Sequence, residues 1–247
     1  MILAQHQPAY LPWLGLLHKV SVADVFVIMD DVQYLKREFQ NRNRVKTGQG
    51  QAAWLTVPVD LRASESRRIC DIRIKRPDPG ERPWYVRHWA TLRTSYANAP
   101  HFGEYAGFFE HVLLGQRWER LVDLNLAILH QAFEWFGITT RTVLATTVGF
   151  TGRKSDLILE QAARLDADMV FAGELGRNYI DVPAFSRSGV RVVFQEYRHP
   201  EYPQLFGGFV SRMSFVDLLF NCGPDAARIA FSGNVSREEL WSSRSTG

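Results

Sequence analysis

Cysteine is nearly missing from this 247-residue chain: Cys70 and Cys222 stand alone and far apart. A disulfide framework is excluded, and a reducing, cytoplasmic setting is the expectation. Zinc-type spacings are missing as well, with no Cys-x-x-Cys and no His-x-x-x-His, so no metal ligand set is expected. The amino terminus carries no basic stretch followed by an apolar core, and no apolar run is long enough to cross a bilayer. Neither sign of charge dominates: 29 Lys and Arg face 26 Asp and Glu, a formal net charge of +3. That is too little for nucleic acid, whose footprint is a dense basic patch. It fits a small or sugar-linked substrate that is anionic. The phosphate loop, the Gly-x-Gly-x-x-Gly fingerprint and the Gly-x-Ser-x-Gly elbow are all absent, so a kinase phosphate loop, a Rossmann NAD site and a serine-hydrolase triad lack their usual support. No cofactor is required by the sequence. There is no internal repeat and no low-complexity tract.

What the chain does contain is a globular composition, 46% hydrophobic and 22% charged, and a βαβ start. Ile2-Leu3-Ala4 reads as a buried strand. Leu16-Leu17-His18-Lys19-Val20 with Val22 and Ala23 reads as a helix, and 24–29 as a second strand. In open parallel sheets, ligands sit outside the carboxyl ends of the strands. The first loop, with His6, Gln7, Tyr10 and Trp13, and the run Asp30-Asp31-Val32-Gln33 after the second strand are therefore where a site is expected.

Further on, Asn41-Arg42-Asn43-Arg44-Val45-Lys46 alternates as a strand would. Asn41, Asn43 and Val45 share one face; Arg42, Arg44 and Lys46 share the other. Thr47–Gly50 is a turn signal and 53–59 returns as an apolar strand, which makes a β-hairpin. Three cations on one face can clamp a carboxylate or phosphate; the alternative is a solvated edge strand whose charges prevent aggregation. Residues 61–83 are polar and basic around one short strand, Ile69–Ile74. Helical periodicity then predicts helices from Trp84 to Tyr96, over Phe102–Leu114 and over Glu119–Phe136. His88, His101, His111 and His130 fall among aromatic residues there and receive no catalytic role. The βαβ pattern resumes with a strand at 142–145, a helix N-capped by Ser155, a strand at 168–173 and a strand at 190–197. Ser214 caps a short amphipathic helix to Asn221. From residue 233 the chain reads as a polar, disordered tail.

The expected architecture is α/β: a mostly parallel, Rossmann-like sheet of about five strands with an inserted β-hairpin and helical segment. One domain covers 1–232, its insertion about 34–136. The alternative is two lobes joined near residue 140. Within this frame His6 is the candidate general base, since its reference pKa lies near neutrality. Of the paired carboxylates, Asp31 alternates with Gln33 on one face and is the stronger candidate for orienting a base, binding a metal such as Mg²⁺ or gripping an ammonium; Asp30 is the weaker.

Taken together, His-Gln-Pro-x-Tyr-Leu-Pro-Trp-x-Gly at 6–15, Ala-Asp-x-Phe-Val at 23–27, Asp-Asp-Val-Gln-Tyr at 30–34, Gln-Asn-Arg-Asn-Arg-Val-Lys at 40–46 and Trp-Leu-Thr-Val-Pro-Val at 54–59 resemble the WbqC-like family. The resemblance extends through Tyr179-Ile180-Asp181 and residues 214–223. Where the family often shows a Ser-Gly pair at the end of the fourth strand, this chain has Ala172-Gly173-Glu174, so a hydroxyl role is not carried over. The resemblance implies a transferase of surface-sugar (O-antigen, lipopolysaccharide) or secondary-metabolite biosynthesis, of an aminoacyl or glycine transferase type. In that scheme His6 and Asp31 are catalytic. Gln7, Tyr10, Trp13, Gln33, Asn41, Arg42, Asn43, Arg44, Lys46, Tyr179 and Asp181 bind substrate. Arg42 or Arg44 holds the anion of an activated donor, Tyr10 or Trp13 packs on a sugar ring, and Asn41 or Asn43 hydrogen-bonds a developing oxyanion. A regular strand turns only one of these hairpin faces inward. Two rivals stand beside it: an adenylating or nucleotidyl-transferring enzyme, which needs ATP and Mg²⁺, and a non-catalytic ligand-binding module of a biosynthetic complex.

Overall fold

A computed structural model of the chain describes residues 1–242. The elements in order are β1 (Ile2–His6), α1 (Leu14–Ser21), β2 (Val25–Ile28), β3 (Arg42–Lys46), β4 (Ala52–Thr56), β5 (Val59–Asp60), β6 (Arg73–Ile74), α2 (Trp84–Tyr96), α3 (Phe102–Glu110) and α4 (Leu121–Trp135). There follow β7 (Arg141–Leu144), α5 (Ala145–Val148), α6 (Ser155–Arg164), β8 (Met169–Ala172), α7 (Val182–Arg187), β9 (Arg191–Phe194), α8 (Phe215–Cys222), α9 (Ala226–Phe231) and α10 (Arg237–Ser242). Five strands form one parallel sheet in the order β7-β2-β1-β8-β9, and the pairs β3-β4 and β5-β6 are separate antiparallel hairpins. The expected α/β sheet with its inserted hairpin is thus what the chain builds.

The alternation of strand side chains explains the layering. Ile2 and Ala4 of β1, Phe26 and Ile28 of β2 and Met169 and Phe171 of β8 point to one face, where α1, α4 and α8 cover them. Leu3, Val25, Val27, Val170 and Ala172 point to the other, packed with Leu157, Ile158 and Ala162 of α6 and Phe185 of α7. A sheet covered on both faces is what parallel strands with near-continuous apolar runs require. Among the described residues no helix is long and apolar enough to cross a membrane.

Several local expectations change. The apolar run 53–59 is cut at Pro58, which lacks an N–H, so β4 ends at Thr56 and β5 pairs instead with β6. The strand expected over Ile69–Ile74 opens as a single 3₁₀ turn, Ile69–Asp71. The helix expected over 102–114 is α-helical only to Glu110 and widens into a π-type turn, His111–Gly115. Ser155 is not a cap: Lys154 takes that position, and the Ser155 hydroxyl accepts from the Asp181 amide at 2.9 Å. Ser214 does cap α8, through the Val216 amide. The polar stretch expected to be a disordered tail from 233 forms α10, where Leu240 is 2% exposed and Arg237 pairs with Asp24; its last residues, 243–247, lie outside the described residues.

The carboxylate of Asp217, fully buried in α8, ties three segments together. It accepts from the Tyr96 hydroxyl at 2.7 Å, the Tyr202 hydroxyl at 2.8 Å and the Gln204 amide at 2.7 Å. Burial pushes its pKa up against these bonds, which pull it down. Asp217→Ala leaves the Tyr96 and Tyr202 hydroxyls without an acceptor, while the Gln204 amide keeps the Val210 carbonyl, and is expected to cost more than about 3 kcal/mol, read as a fall in the urea midpoint at constant slope.

Candidate functional site

The chain runs from β1 outward to β2 and β7, then returns to lay β8 on the other side of β1. The order reverses between β1 and β8, and the crevice at their carboxyl ends is where doubly wound sheets bind ligands. One lip is the loop after His6. The other is Gly173 and the 3₁₀ turn Glu174–Asn178.

His6 is the last residue of β1. Its Nδ1 donates to the Gln7 carbonyl at 2.7 Å; because a carbonyl only accepts, the proton sits on Nδ1 and Nε2 keeps its lone pair. Burial, then the nearby charge of Lys19, hold its pKa down at about 3. Lys19 is the residue that sequence reasoning missed. It lies on the apolar face of α1 with Leu16 and Val20, 3% exposed, and its Nζ donates to the Gln5 carbonyl at 3.0 Å. Among the described residues it has no carboxylate partner, and burial lowers its pKa to about 7. The one signal available in sequence was a lysine one turn from Leu16 in an inward-facing pattern.

The two aspartates divide their work. Asp30 is buried and structural: its carboxylate accepts from the Thr146 amide at 2.9 Å and the Thr146 hydroxyl, securing the start of α5. Asp31 is partly exposed, with one carboxylate oxygen, Oδ1, buried and unpartnered. Burial and then the charge of Asp30 raise its pKa. Among the described residues no hydrogen bond joins Asp31 to His6, so the expected orienting bond is not made.

The hairpin resolves the choice of face. Asn43 is fully buried and donates to the Leu11 carbonyl at 2.6 Å; Asn41 donates to the Val57 carbonyl at 2.8 Å. Each amide of the inward face thus gives one donor to main chain, and Asn41 also lines the cavity beside Arg42. The Leu11 carbonyl belongs to a residue held at φ +46°, a conformation that L side chains disfavour. On the other face Arg42 and Arg44 lie over Trp54, with guanidinium carbons 4.2 and 5.6 Å from the ring centre. They donate to the carbonyls of Arg37 and Arg212, and each keeps a buried Nε without a partner. Neither meets a carboxylate among the described residues. Lys46 leaves this group: its buried ammonium donates to the Gly207 and Gly208 carbonyls.

An aromatic row joins the strand end to the arginine pair. His6 meets Trp13 edge-on at 4.8 Å, Trp13 meets Phe39 at 5.4 Å, and Phe39 meets Trp54 at 5.9 Å. Trp54 is 45% exposed. A cavity of about 460 Å³ opens beside Arg42, lined also by Tyr34, Lys36, Arg37 and Arg62. A larger one, about 950 Å³, lies among Arg73, Trp84, Trp118 and their neighbours in the insertion and shares no lining residue with the row.

Tyr10 is a correction: it is fully buried, its hydroxyl pairs with His88 Nδ1 at 2.9 Å, and it cannot pack on a sugar ring. Gln7 accepts from the Gln40 amide, and Gln33 is exposed in a bridge to Arg68. Tyr179 is half-exposed beyond β8, while Asp181 caps α7 through the Ala184 amide at 3.1 Å.

Comparison with known proteins fits these positions. The model of the WbqC-like protein family matches residues 7–229. The chain belongs to the WbqC-like family. An uncharacterized protein of Mycobacterium tuberculosis (strain ATCC 25618 / H37Rv), Rv1507c, is 33% identical over 221 residues, 89% of this chain and 93% of its own length. No solved structure matches.

Of the residues that carried the WbqC-like resemblance, His6, Trp13, Trp54, Arg42 and Arg44 lie along the aromatic row. Gly15 is explained by close approach, since a Cβ there would stand 3.0 Å from the Tyr197 ring and 3.1 Å from Trp13 Nε1. Asn43→Ala, which frees the Leu11 carbonyl inside the protein, is expected to cost about 2 kcal/mol. Arg42→Ala is expected to cost under about 1 kcal/mol. Chemical denaturation of the two variants side by side checks the assignment of faces.

Proposed function

We propose that this WbqC-like protein is a biosynthetic group-transfer enzyme, moving an aminoacyl group from an anionic, activated donor onto an amine or hydroxyl acceptor. The observation that carries the reading is the aromatic row running from His6 to two arginines that have no carboxylate partner among the described residues. A guanidinium stacked on an indole, with donors still free, suits a phosphate or carboxylate. Lys36, Arg37 and Arg62 line the cavity beside Arg42 and add to that field, outnumbering the acid there, Asp60. Trp13, Phe39 and Trp54 offer ring faces for a sugar or base between the anion and the strand end.

In this scheme the acceptor's nucleophile lies at His6, whose Nε2 takes the proton as the new bond to the acyl carbon forms; the acyl carbon's bond to the donor's leaving group breaks, and that group departs with the electron pair as part of the anion the arginines hold. A base with a pKa of about 3 is weak at neutral pH. A negative charge arriving with the donor offsets Lys19 and burial, and strengthens it only in the complex. Asp31, at the end of the neighbouring strand with an unpartnered oxygen, receives the acceptor's ammonium before it loses its proton. Tyr179, on the lip beyond β8, contacts the acceptor side.

A thermal-shift screen with nucleotides, nucleotide-linked sugars, glycine and aminoacyl donors, each with and without Mg²⁺, tests the reading. A ligand at a hundredfold excess over its Kd stabilises by about 2.7 kcal/mol. Stabilisation by an aminoacyl or sugar-linked donor, reduced at least about tenfold in affinity by Arg42→Ala, is the expected result. Stabilisation by ATP with Mg²⁺ alone would replace transfer of an aminoacyl group by adenylation. With the donor in hand, His6→Ala is expected to lower turnover by roughly two to four orders of magnitude; a loss below about threefold in a folded variant removes His6 from the role.

A further inference from the structure

The geometry points to Lys19 as an oxyanion-binding residue of the crevice between β1 and β8, its ammonium taking a phosphate or carboxylate oxygen that enters over Gly173. The inference rests on the strand-end reading of the site and adds to it a second anion position, separate from the arginine pair.

A lysine on the apolar face of a helix is costly unless its charge is paired or it gives up its proton. A lysine buried for packing alone would be served as well by Leu or Met. A lysine buried for structure spends its donors on acceptors, as Lys46 does on the Gly207 and Gly208 carbonyls. Lys19 spends one: its Nζ has three donor directions and meets the Gln5 carbonyl at 3.0 Å, with no carboxylate in ion-pair range among the described residues. Its surroundings show why the amine remains within reach of a ligand. Gly173, just past the end of β8, is partly exposed, and a Cβ built there would stand 3.8 Å from Nζ. The amine therefore lies under bare backbone, at the place where a side chain would cover it. The lysine's charge also reaches His6, the last residue of β1, and depresses its basicity. An ammonium with unused donors, at the switch point of a doubly wound sheet and under a residue with no side chain, is arranged to receive an anion rather than to hold the fold.

The test reads the lysine directly. The chain has five lysines, so protein carrying ¹³C-labelled lysine gives a resolvable set of Cε resonances, and Lys19→Arg identifies one of them. Inorganic phosphate, pyrophosphate and acetate are titrated in turn; a response to phosphate or pyrophosphate alone assigns a phosphoryl group, and a response to acetate a carboxylate. The expected result is a saturable shift of the Lys19 resonance that persists in Arg42→Ala. In Gly173→Val, a position at φ −67° that accepts a side chain, the same Lys19 response is expected to weaken by about tenfold or more. Lys36, which lines the cavity beside Arg42, is expected to behave oppositely, losing its response in Arg42→Ala and keeping it in Gly173→Val. A Lys19 resonance unmoved by all three anions, or equally responsive in Gly173→Val, overturns the proposal. If Lys36 still responds in that case, the arginine-pair reading stands without it; if Lys19 responds and Lys36 does not, the failure belongs to the arginine pair.

Discussion

The loop after β1 is buried, and most of the remaining structure answers that constraint. Connections normally run over the surface because their main-chain polar groups need water. Residues 8–12 have no such access, so each group must find a partner in the protein. Pro8 and Pro12 lower the demand, since neither has an N–H. The Tyr10 amide bonds to the Phe39 carbonyl at 3.0 Å, and Asn43 reaches the strained Leu11 carbonyl. The Pro12 carbonyl accepts from the Phe215 amide at 2.9 Å, and Asn125 of α4 sits by the Pro8 carbonyl at 3.4 Å. The insertion, together with α8, is therefore what satisfies the first loop, and the first loop is what places His6 and Trp13. Neither would hold its position alone.

Charge is segregated by the same architecture. The buried acids are satisfied by neutral donors: Asp217 by two tyrosines and a glutamine, Asp30 by a threonine. The cations at the strand ends and on the hairpin, Lys19, Arg42 and Arg44, are bonded to carbonyls. A carbonyl orients a cation without cancelling its charge. The result, among the described residues, is a site whose positive field is offset only in part, by Asp60 in the cavity beside Arg42, although the chain as a whole is almost balanced at +3. Net charge is thus a poor guide to the ligand here, and the placement of charge a better one.

Local pattern made much of this fold legible. The alternation in 41–46, the turn at 47–50, the apolar strands and the Ser214 cap depend on neighbours a few residues away. What stayed hidden depends on partners far along the chain. Whether the asparagine or the arginine face of β3 turns inward is decided by Leu11, 32 residues earlier. That Tyr10 is a buried tie rather than a sugar platform is decided by His88, 78 residues later. Lys19 looked like an ordinary helix lysine because the absence of a carboxylate across a sheet cannot be read from periodicity. Asp181 was placed in the site by resemblance, yet its carboxylate caps a helix.

Trp13 is where these threads meet. It precedes α1, bridges to Ser214 at the start of α8, and puts its ring between His6 and Phe39. A ligand anchored at the arginine pair and reacting at His6 has to cross this ring. The spacing of the row, with neighbours about 5 to 6 Å apart, is the spacing at which aromatic rings attract edge-on or tilted, so the row holds its shape without a ligand. Preorganisation of that kind lowers the ordering cost of binding. It also explains why Gly15 must stay small: the Tyr197 ring that fills the space above it fixes the start of α1, and with it both Trp13 and the lysine one turn further along the helix.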